Sequence, residues 1–458
     1  MRSLVTAAIA LSLACGDDEP SSSAGASSAG GAGGSGASTP TSSSMAGGAG
    51  AGGAAGGAGG SGAAGGAPPI DCAPLPESAG PFVDVTPADA EQLSQIVFDA
   101  AAGSTIRLAP GTYPLTAILQ VRADGVTLRS QNNDAASVVL DGSYAVNELI
   151  QVTANDVTLA HVTLTRSIDH LVHAFPPGDG STTTGLRIYG VRLIDGGEQF
   201  VKVNPVGDGG FVDDGRVECS HFEMTEAGRP NVEACCGGCY TGGIDVHAGW
   251  GWSVSRNYFE GIYCENGGLA EHAVHFWKGA RDTVVEDNTI INCARGVGFG
   301  LGNGAGDRVY PDAPHGGQNL AHFDGIIRNN FIWADIDFFD TGIEAAETRE
   351  PMIAHNTVVT PGGAAFFSSI DYRFSVTSVV IKNNLTTTIT QRDGATGDVS
   401  NNLENTPLTY FVDGPSGDLH LVDDAPLALD AGTPLGEVTT DIDGDARSMT
   451  PDLGADER

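Results

Sequence analysis

From residue 120 onward the chain alternates apolar and polar positions in short runs broken by Gly, Asn and Asp, with almost no helical periodicity. One phrase recurs: an aliphatic residue followed two or three places on by Asn. It occurs as Val254-Ser-Arg-Asn257, Val285-Glu-Asp-Asn288, Ile327-Arg-Asn-Asn330, Ile353-Ala-His-Asn356, Ile381-Lys-Asn-Asn384 and Val399-Ser-Asn-Asn402, with looser versions at Leu128, Leu159, Ile188 and Val217. Successive anchors lie 31, 29, 29, 37, 31, 42, 26, 28 and 18 residues apart. A period near 30 built only from strands and turns means one superhelical coil per repeat. The longer intervals contain Gly/Cys-rich and Gly/Asp/Pro-rich stretches, as loop insertions on a regular core should. Alternating βαβ units would need amphipathic helices between the strands, and none is present. The pattern predicts an all-β, single-stranded parallel β-helix of about ten coils over residues 104–405, a rod roughly 45 to 50 Å long. Asn side chains at one station of successive coils are expected to hydrogen-bond between layers.

An open rod needs a cover on its first coil. Thr86-Pro87-Ala-Asp89 has a capping hydroxyl, proline at the first helical position and an acid at the third. Leu93, Ile96, Val97 and Ala100 then fall on one face at helical spacing. A cap helix is predicted over 87–101, within a cap region 71–103, and residues 406–458 are read as a closing segment.

The start of the chain is different in kind. Arg2 precedes a ten-residue apolar stretch, Leu4 to Leu13, which reads as a secretion signal over residues 1–14 and is too short to span a membrane. It ends on Leu13-Ala14-Cys15-Gly16, which resembles a bacterial lipobox, with Ser12 where Leu is usual. The resemblance implies lipidation of Cys15 and a protein anchored to the outer membrane or cell surface of a bacterium. Residues 20–70 are Gly, Ala and Ser with a few Thr and Pro, one Met, one Ile and no charge, a flexible linker rather than a domain. The formal net charge is −35, from 22 Lys+Arg against 57 Asp+Glu. Such a field repels nucleic acid and anionic lipid, so the expected partner is a polysaccharide or surface glycan, and the membrane is met through the lipid alone. The protein is read as monomeric. Export favours disulfides, and at least one is expected from Cys235, Cys236 or Cys239 to Cys219 or Cys264, pinning a Gly-rich insertion.

Strand side chains alternate, so inward and outward residues of each coil can be separated. Val172/Ala174, Val201/Val203, Ile244/Val246, Val274/Phe276, Val297/Phe299 and Ile336/Phe338 are assigned inward. The outward set is then His173, Lys202 and Asn204, Asp245 and His247, His275 and Trp277, Gly298 and Gly300, and Asp337 and Phe339, with Lys278 and Arg295 flanking. His is scarce, 11 in 458, yet His173, His247 and His275 fall on one ladder beside Lys202. A surface cleft is expected here, with Lys202, Asp245, His247, His275, Lys278 and Arg295 as candidate catalytic groups. Trp277 would wall it, Gly298 and Gly300 would leave an open floor for a sugar ring, and Asp337 would contact substrate.

Thr105-Ile-Arg-Leu-Ala-Pro-Gly-Thr-Tyr113 resembles the entry to coil one in right-handed parallel β-helix proteins of the pectin-lyase-like superfamily. The tail Asp441-Ile-Asp-Gly-Asp-Ala-Arg447 is similar to the closing segment of many bacterial surface members. The superfamily holds lyases, hydrolases, epimerases and non-catalytic surface proteins, so the resemblance fixes fold more than activity. Glu271-His-Ala-Val-His-Phe-Trp-Lys278 also resembles the catalytic coils of alginate and chondroitin lyases. That resemblance implies β-elimination from a uronic acid, with Lys278 as base and Glu271 helping to hold Ca²⁺, while the second calcium acid falls on Ala273 and the catalytic arginine on Gly300. Asn204, Asp245 and Glu271 are the hard oxygen donors on hand for Ca²⁺. Two alternatives stand beside the lyase: a non-catalytic glycan-binding or adhesin-like surface protein, and a glycoside hydrolase, for which no Asp-Asp pair lies on the ladder.

Overall fold

A computed structural model describes residues 72–77, 80–207, 209–234, 238–302, 306–361 and 366–458. The signal, Cys15, the linker and the cysteines 235 and 236 lie outside the described residues. The described residues from Cys72 onward form one compact unit, a right-handed parallel β-helix whose coils each give a strand to three parallel sheets. Two of these sheets have 10 strands and the third has 14.

Inside the rod the predicted apolar stack is present. Val172, Val201, Ile244, Val274, Val297 and Ile343 follow one another in register, all fully buried. Aromatic rings add a second column, Phe200 on Phe222 on Phe259. Trp252 fills the core, with its indole N–H donating to the Val212 carbonyl at 2.8 Å.

The recurring asparagines form the expected ladder. Nδ2 of Asn257, Asn288, Asn330, Asn356 and Asn384 each donates to Oδ1 of the next, at 2.9 to 3.0 Å. Each Oδ1 also accepts the backbone N–H of the residue one coil earlier, at 2.8 to 3.1 Å. The left-handed turn residue is not the ladder Asn but the one before it. His161, Cys219, Arg256, Asp287, Asn329, His355, Asn383 and Asn401 all have φ between 50° and 60°.

The cap starts as predicted and ends sooner. Residues Pro87–Gln92 are 3-10 and Leu93–Phe98 are α-helical. The Asp89 carboxylate accepts from the Thr86 N–H at 2.9 Å and hydroxyl at 2.7 Å. A strand not foreseen, Phe82–Val85, precedes the helix and pairs in parallel with Thr105–Leu108. The closing segment runs back beside the last coils: Arg447 donates to Asn329 Oδ1 and the Gly454 carbonyl, both at 3.0 Å, and Asn383 donates to the Thr433 carbonyl at 2.7 Å.

Cys239 bonds to Cys264, one of the expected pairings, and Cys72 bonds to Cys219. Cys293 is a buried thiol.

Candidate functional site

The candidate site lies on the outer side of the 10-stranded sheet that contains Gln199–Val203, Gly242–His247, His272–Trp277, Arg295–Phe299, Thr341–Ala346 and Ser368–Arg373. Its register puts His173, Lys202, Asp245, His275, Gly298, Glu344 and Asp371 in one row. Five of the nominated residues contact one another. Lys202 Nζ donates to Asp245 Oδ2 at 2.6 Å and lies 3.2 Å from His247 Nε2. The Trp277 indole N–H donates to Asp245 Oδ1 at 2.8 Å, and His275 Nδ1 stands 3.6 Å from the same oxygen. His275 lies parallel to the Trp277 ring.

This group is covered. Lys202, Asp245, His247 and His275 are each at most 5% exposed, so the expected open cleft is a closed polar layer in the structure. Burial alone would raise the Asp245 carboxyl, but Lys202, His247 and His275 outweigh it and hold Asp245 well below the usual range. Burial and the neighbouring His272 push the His275 imidazole down to about 4, so it is neutral at pH 7. Its Nε2–H donates to the Gly300 carbonyl at 3.2 Å, which leaves the lone pair on Nδ1.

Several nominations are corrected. Asp337 is not on the row. The strand of that coil is Thr341–Ala346, with Ile343 and Ala345 inward and Glu344 outward. Ile336 and Phe338 alternate more strongly than Thr-Gly-Ile-Glu-Ala-Ala, which is why the pattern pointed seven residues too early. Gly298 and Gly300 do not make an open floor. A Cβ on Gly298 would meet His272 Nε2 at 2.7 Å, so an imidazole already fills the space, and one on Gly300 would meet the Ala346 carbonyl at 1.9 Å. Lys278 and Arg295 do not share one centre either. Arg295 is in register with His272, six residues before Lys278, a separation on the order of 20 Å along the strand. Lys278 has left-handed backbone at the strand end, its ammonium 4.8 Å from the Trp277 ring centre.

Two of the three oxygen donors nominated for Ca²⁺ are already engaged. Asn204 Oδ1 accepts from His173 at 3.0 Å, and both Asp245 oxygens are taken by Lys202 and Trp277. Glu271 Oε2, the third, has no hydrogen-bond partner, and its neighbours are His272 Nδ1 at 3.7 Å and His275 Nδ1 at 3.8 Å, whereas Ca²⁺ takes six or more oxygens.

At the other edge of the sheet the structure adds residues the sequence did not single out. His272 Nε2 lies 3.2 Å from Glu344 Oε2, and Arg373 bonds Glu344 Oε1 at 2.5 Å. Arg295 stands 3.8 Å from Glu271 Oε2 and 3.6 Å from Asp340. Tyr240, next to the disulfide-bonded Cys239, places its hydroxyl 3.4 Å from Lys202 Nζ. Burial opposes ionisation of Glu271, yet His272 and Arg295 bring it down to about 2, and Glu344 is also held ionised by His272, Arg295 and Arg373. Strict alternation puts His272 and Arg295 with inward Val274 and Val297, so parity hid His272 and left Arg295 nominated only as a flanking residue. Their place at the first strand residue, where the chain turns a corner, was the available signal.

No protein-family model and no curated protein matches the chain. Among solved structures it is similar to the pectate lyase Pel9A, at 14% identity over 83% of this chain and 97% of that one, with TM-score 0.52. It is also similar to an alginate lyase from Paenibacillus sp. str. FPU-7, at 15% identity over 70% and 98%, TM-score 0.48. The Streptococcus pneumoniae surface protein and adhesin PfbA aligns at 9% identity over 69% and 98%, TM-score 0.39. The likeness to the pectate lyase structure is one of fold, a right-handed parallel β-helix, and a fold does not fix an activity.

Proposed function

We propose that the protein is a surface glycan-active β-helix that cleaves a uronic-acid-containing polysaccharide by β-elimination at the edge formed by Tyr240, Glu271 and Arg295. The carrying observation is the concentration of unspent polar groups there. Buried Gln199 amide atoms, Glu271 Oε2, His272 Nδ1 and Arg295 Nε all lack a hydrogen-bond partner. A structural spacer has no use for such groups on one edge, while a reaction centre does.

β-Elimination needs a positive group at the C6 carboxylate, which acidifies the C5 proton, and a base to take it. Arg295, kept charged by Glu271, Glu344 and Asp340, supplies the first. Tyr240 supplies the second. Lys202 Nζ stands 3.4 Å from the Tyr240 hydroxyl and orients it. Asp245 holds Lys202 in place. Trp277 and Lys278, at the far end of the strand, suit the binding of a more distant stretch of the chain.

Hydrolysis is the weaker reading. Glu271 and Glu344 are both held ionised, and a hydrolase needs one carboxyl protonated. A non-catalytic glycan-binding protein is favoured by one specific observation, the burial of Lys202, Asp245 and His275. The test is incubation of the full chain with alginate, pectate, chondroitin and hyaluronan, followed by ultraviolet absorbance of the unsaturated product. Product that falls at least about 100-fold in both Arg295→Ala and Tyr240→Phe supports the reading. Glycan binding without product from any polymer would replace it with the non-catalytic one.

We further propose that Cys15 carries lipid and that residues 16–70 tether the β-helix to a bacterial envelope.

A further inference from the structure

We propose that Glu271, His272 and His275 form a binding site for one divalent transition-metal ion of the zinc type. Three ligand atoms converge: Glu271 Oε2 lies 3.7 Å from His272 Nδ1 and 3.8 Å from His275 Nδ1, and the three residues can present their donor atoms within 4.8 Å of one another. These separations are too long for hydrogen bonds. Ligands about 2.1 Å from a tetrahedral zinc lie about 3.4 Å apart, so the two Glu271 pairs close with shifts of a few tenths of an ångström, and the two histidine nitrogens start no more than 4.8 Å apart.

The outer contacts of both rings are those of metal ligands. His272 turns Nε2 to the Glu344 carboxylate at 3.2 Å, and His275 turns Nε2 to the Gly300 carbonyl at 3.2 Å. A ring that donates its Nε2–H in this way holds its lone pair on Nδ1, oriented for a metal. Glu271 Oε2 and His272 Nδ1 have no hydrogen-bond partner although the His272 side chain is wholly buried. Unpaired buried polar atoms are rare, and here they face the same point. Gly298 makes the arrangement possible, because any side chain there would occupy the space of the His272 ring. Glu271, with its side chain 25% exposed, gives the ion a way in from solvent. The charges around the point are Arg295 at 3.8 Å from Glu271, opposed by Asp245 and Glu344.

Two nitrogens and one carboxylate select Zn²⁺, Co²⁺ or a similar ion over Ca²⁺. The site adjoins Tyr240 and Arg295, yet it is tested without turnover. Metal binding in a protein that cleaves no polymer would overturn the proposed lyase activity and leave this site standing.

The experiment is titration of the chelator-stripped full chain with Co²⁺, read by visible absorption, and with Zn²⁺ and Ca²⁺ separately by calorimetry. The expected result is about one Zn²⁺ per chain, a Co²⁺ spectrum of nitrogen-containing coordination, and no comparable Ca²⁺ binding. Glu271→Gln and His275→Gln should each weaken Zn²⁺ at least about 10-fold, with unchanged circular dichroism, as should His272→Ala where it folds. His420→Ala, in the separate cluster with Asp443 and Asp456, should leave binding unchanged. No Zn²⁺ binding, or binding that survives Glu271→Gln and His275→Gln, would overturn the site.

Discussion

Lys202 and Asp245 sit on adjacent strands, in direct register, joined at 2.6 Å with both side chains at most 6% exposed. An ion pair so placed is poor evidence of stability, because two desolvated charges offset most of their attraction. Its removal by halves is another matter. Lys202→Met or Asp245→Leu alone should each lower stability by about 3 to 5 kcal/mol, since either takes from a buried charge the partner that lies 2.6 Å away. The double variant should recover most of that loss, as read from thermal melting of the three proteins.

The asparagine ladder should be strongest in its middle. Asn330 is bonded on both sides, to Asn288 and Asn356, and also donates to the Val285 and Arg328 carbonyls. Asn402 ends the row and is partly exposed. Asn330→Ala should destabilise by about 2 to 4 kcal/mol and Asn402→Ala by about 1 kcal/mol or less. Equal melting temperatures in the two variants would mean that the ladder is decorative.

Asp287 occupies a left-handed turn position where later coils use Asn329 and Asn383. Burial and the adjacent Glu286 raise its carboxyl to about 7, from an ordinary 3.8. Between those two values the unfolded chain has lost a proton that the folded chain keeps, so stability falls as pH rises from about 4 to 7. Asp287→Asn removes that loss. Its melting temperature should exceed the parent's at pH 8, with the gap closing near pH 4.

His322 has the opposite sign. It is fully buried against Phe299, and burial lowers its imidazole to about 3 from an ordinary 6.5. Below pH 6.5 the unfolded chain takes up a proton that the folded chain refuses, and stability drops as pH falls toward 3. Replacement by Gln should flatten the dependence of melting temperature on pH between 6.5 and 4.

The Cys239–Cys264 bond fixes the segment that carries Tyr240. Its loss through Cys239→Ser should cost about 2 to 4 kcal/mol. If Tyr240 acts on substrate, turnover should fall further than the drop in melting temperature explains, measured well below that temperature.

Cys15→Ser should move the protein from the membrane to the soluble fraction of the producing bacterium. Retention in the membrane would show that something other than a lipid on Cys15 holds it.

The architecture was legible in the sequence because it repeats. Each coil must bury an aliphatic residue at one station and satisfy a corner with Asn at another, so Val254-Ser-Arg-Asn257 and its later copies state the fold many times over. Alternation also placed Lys202, Asp245, His247 and His275 together, since register in a parallel stack follows from the buried positions. The insertions were not legible in this way. They shifted the strand of one coil from Asp337 to Glu344, and a chain of small residues gives no period to detect the shift. Nor could parity describe strand ends. There His272 and Arg295 share the inward phase, yet they reach Glu344, Glu271 and Asp340 across the corner. Sequence by itself determined the rod, its ladder and the row of polar side chains, because these depend on spacing along the chain. Only the tertiary structure decided that the row is covered, that Lys278 and Arg295 are far apart, and that two histidines and Glu271 aim at one point, because each depends on distances between coils.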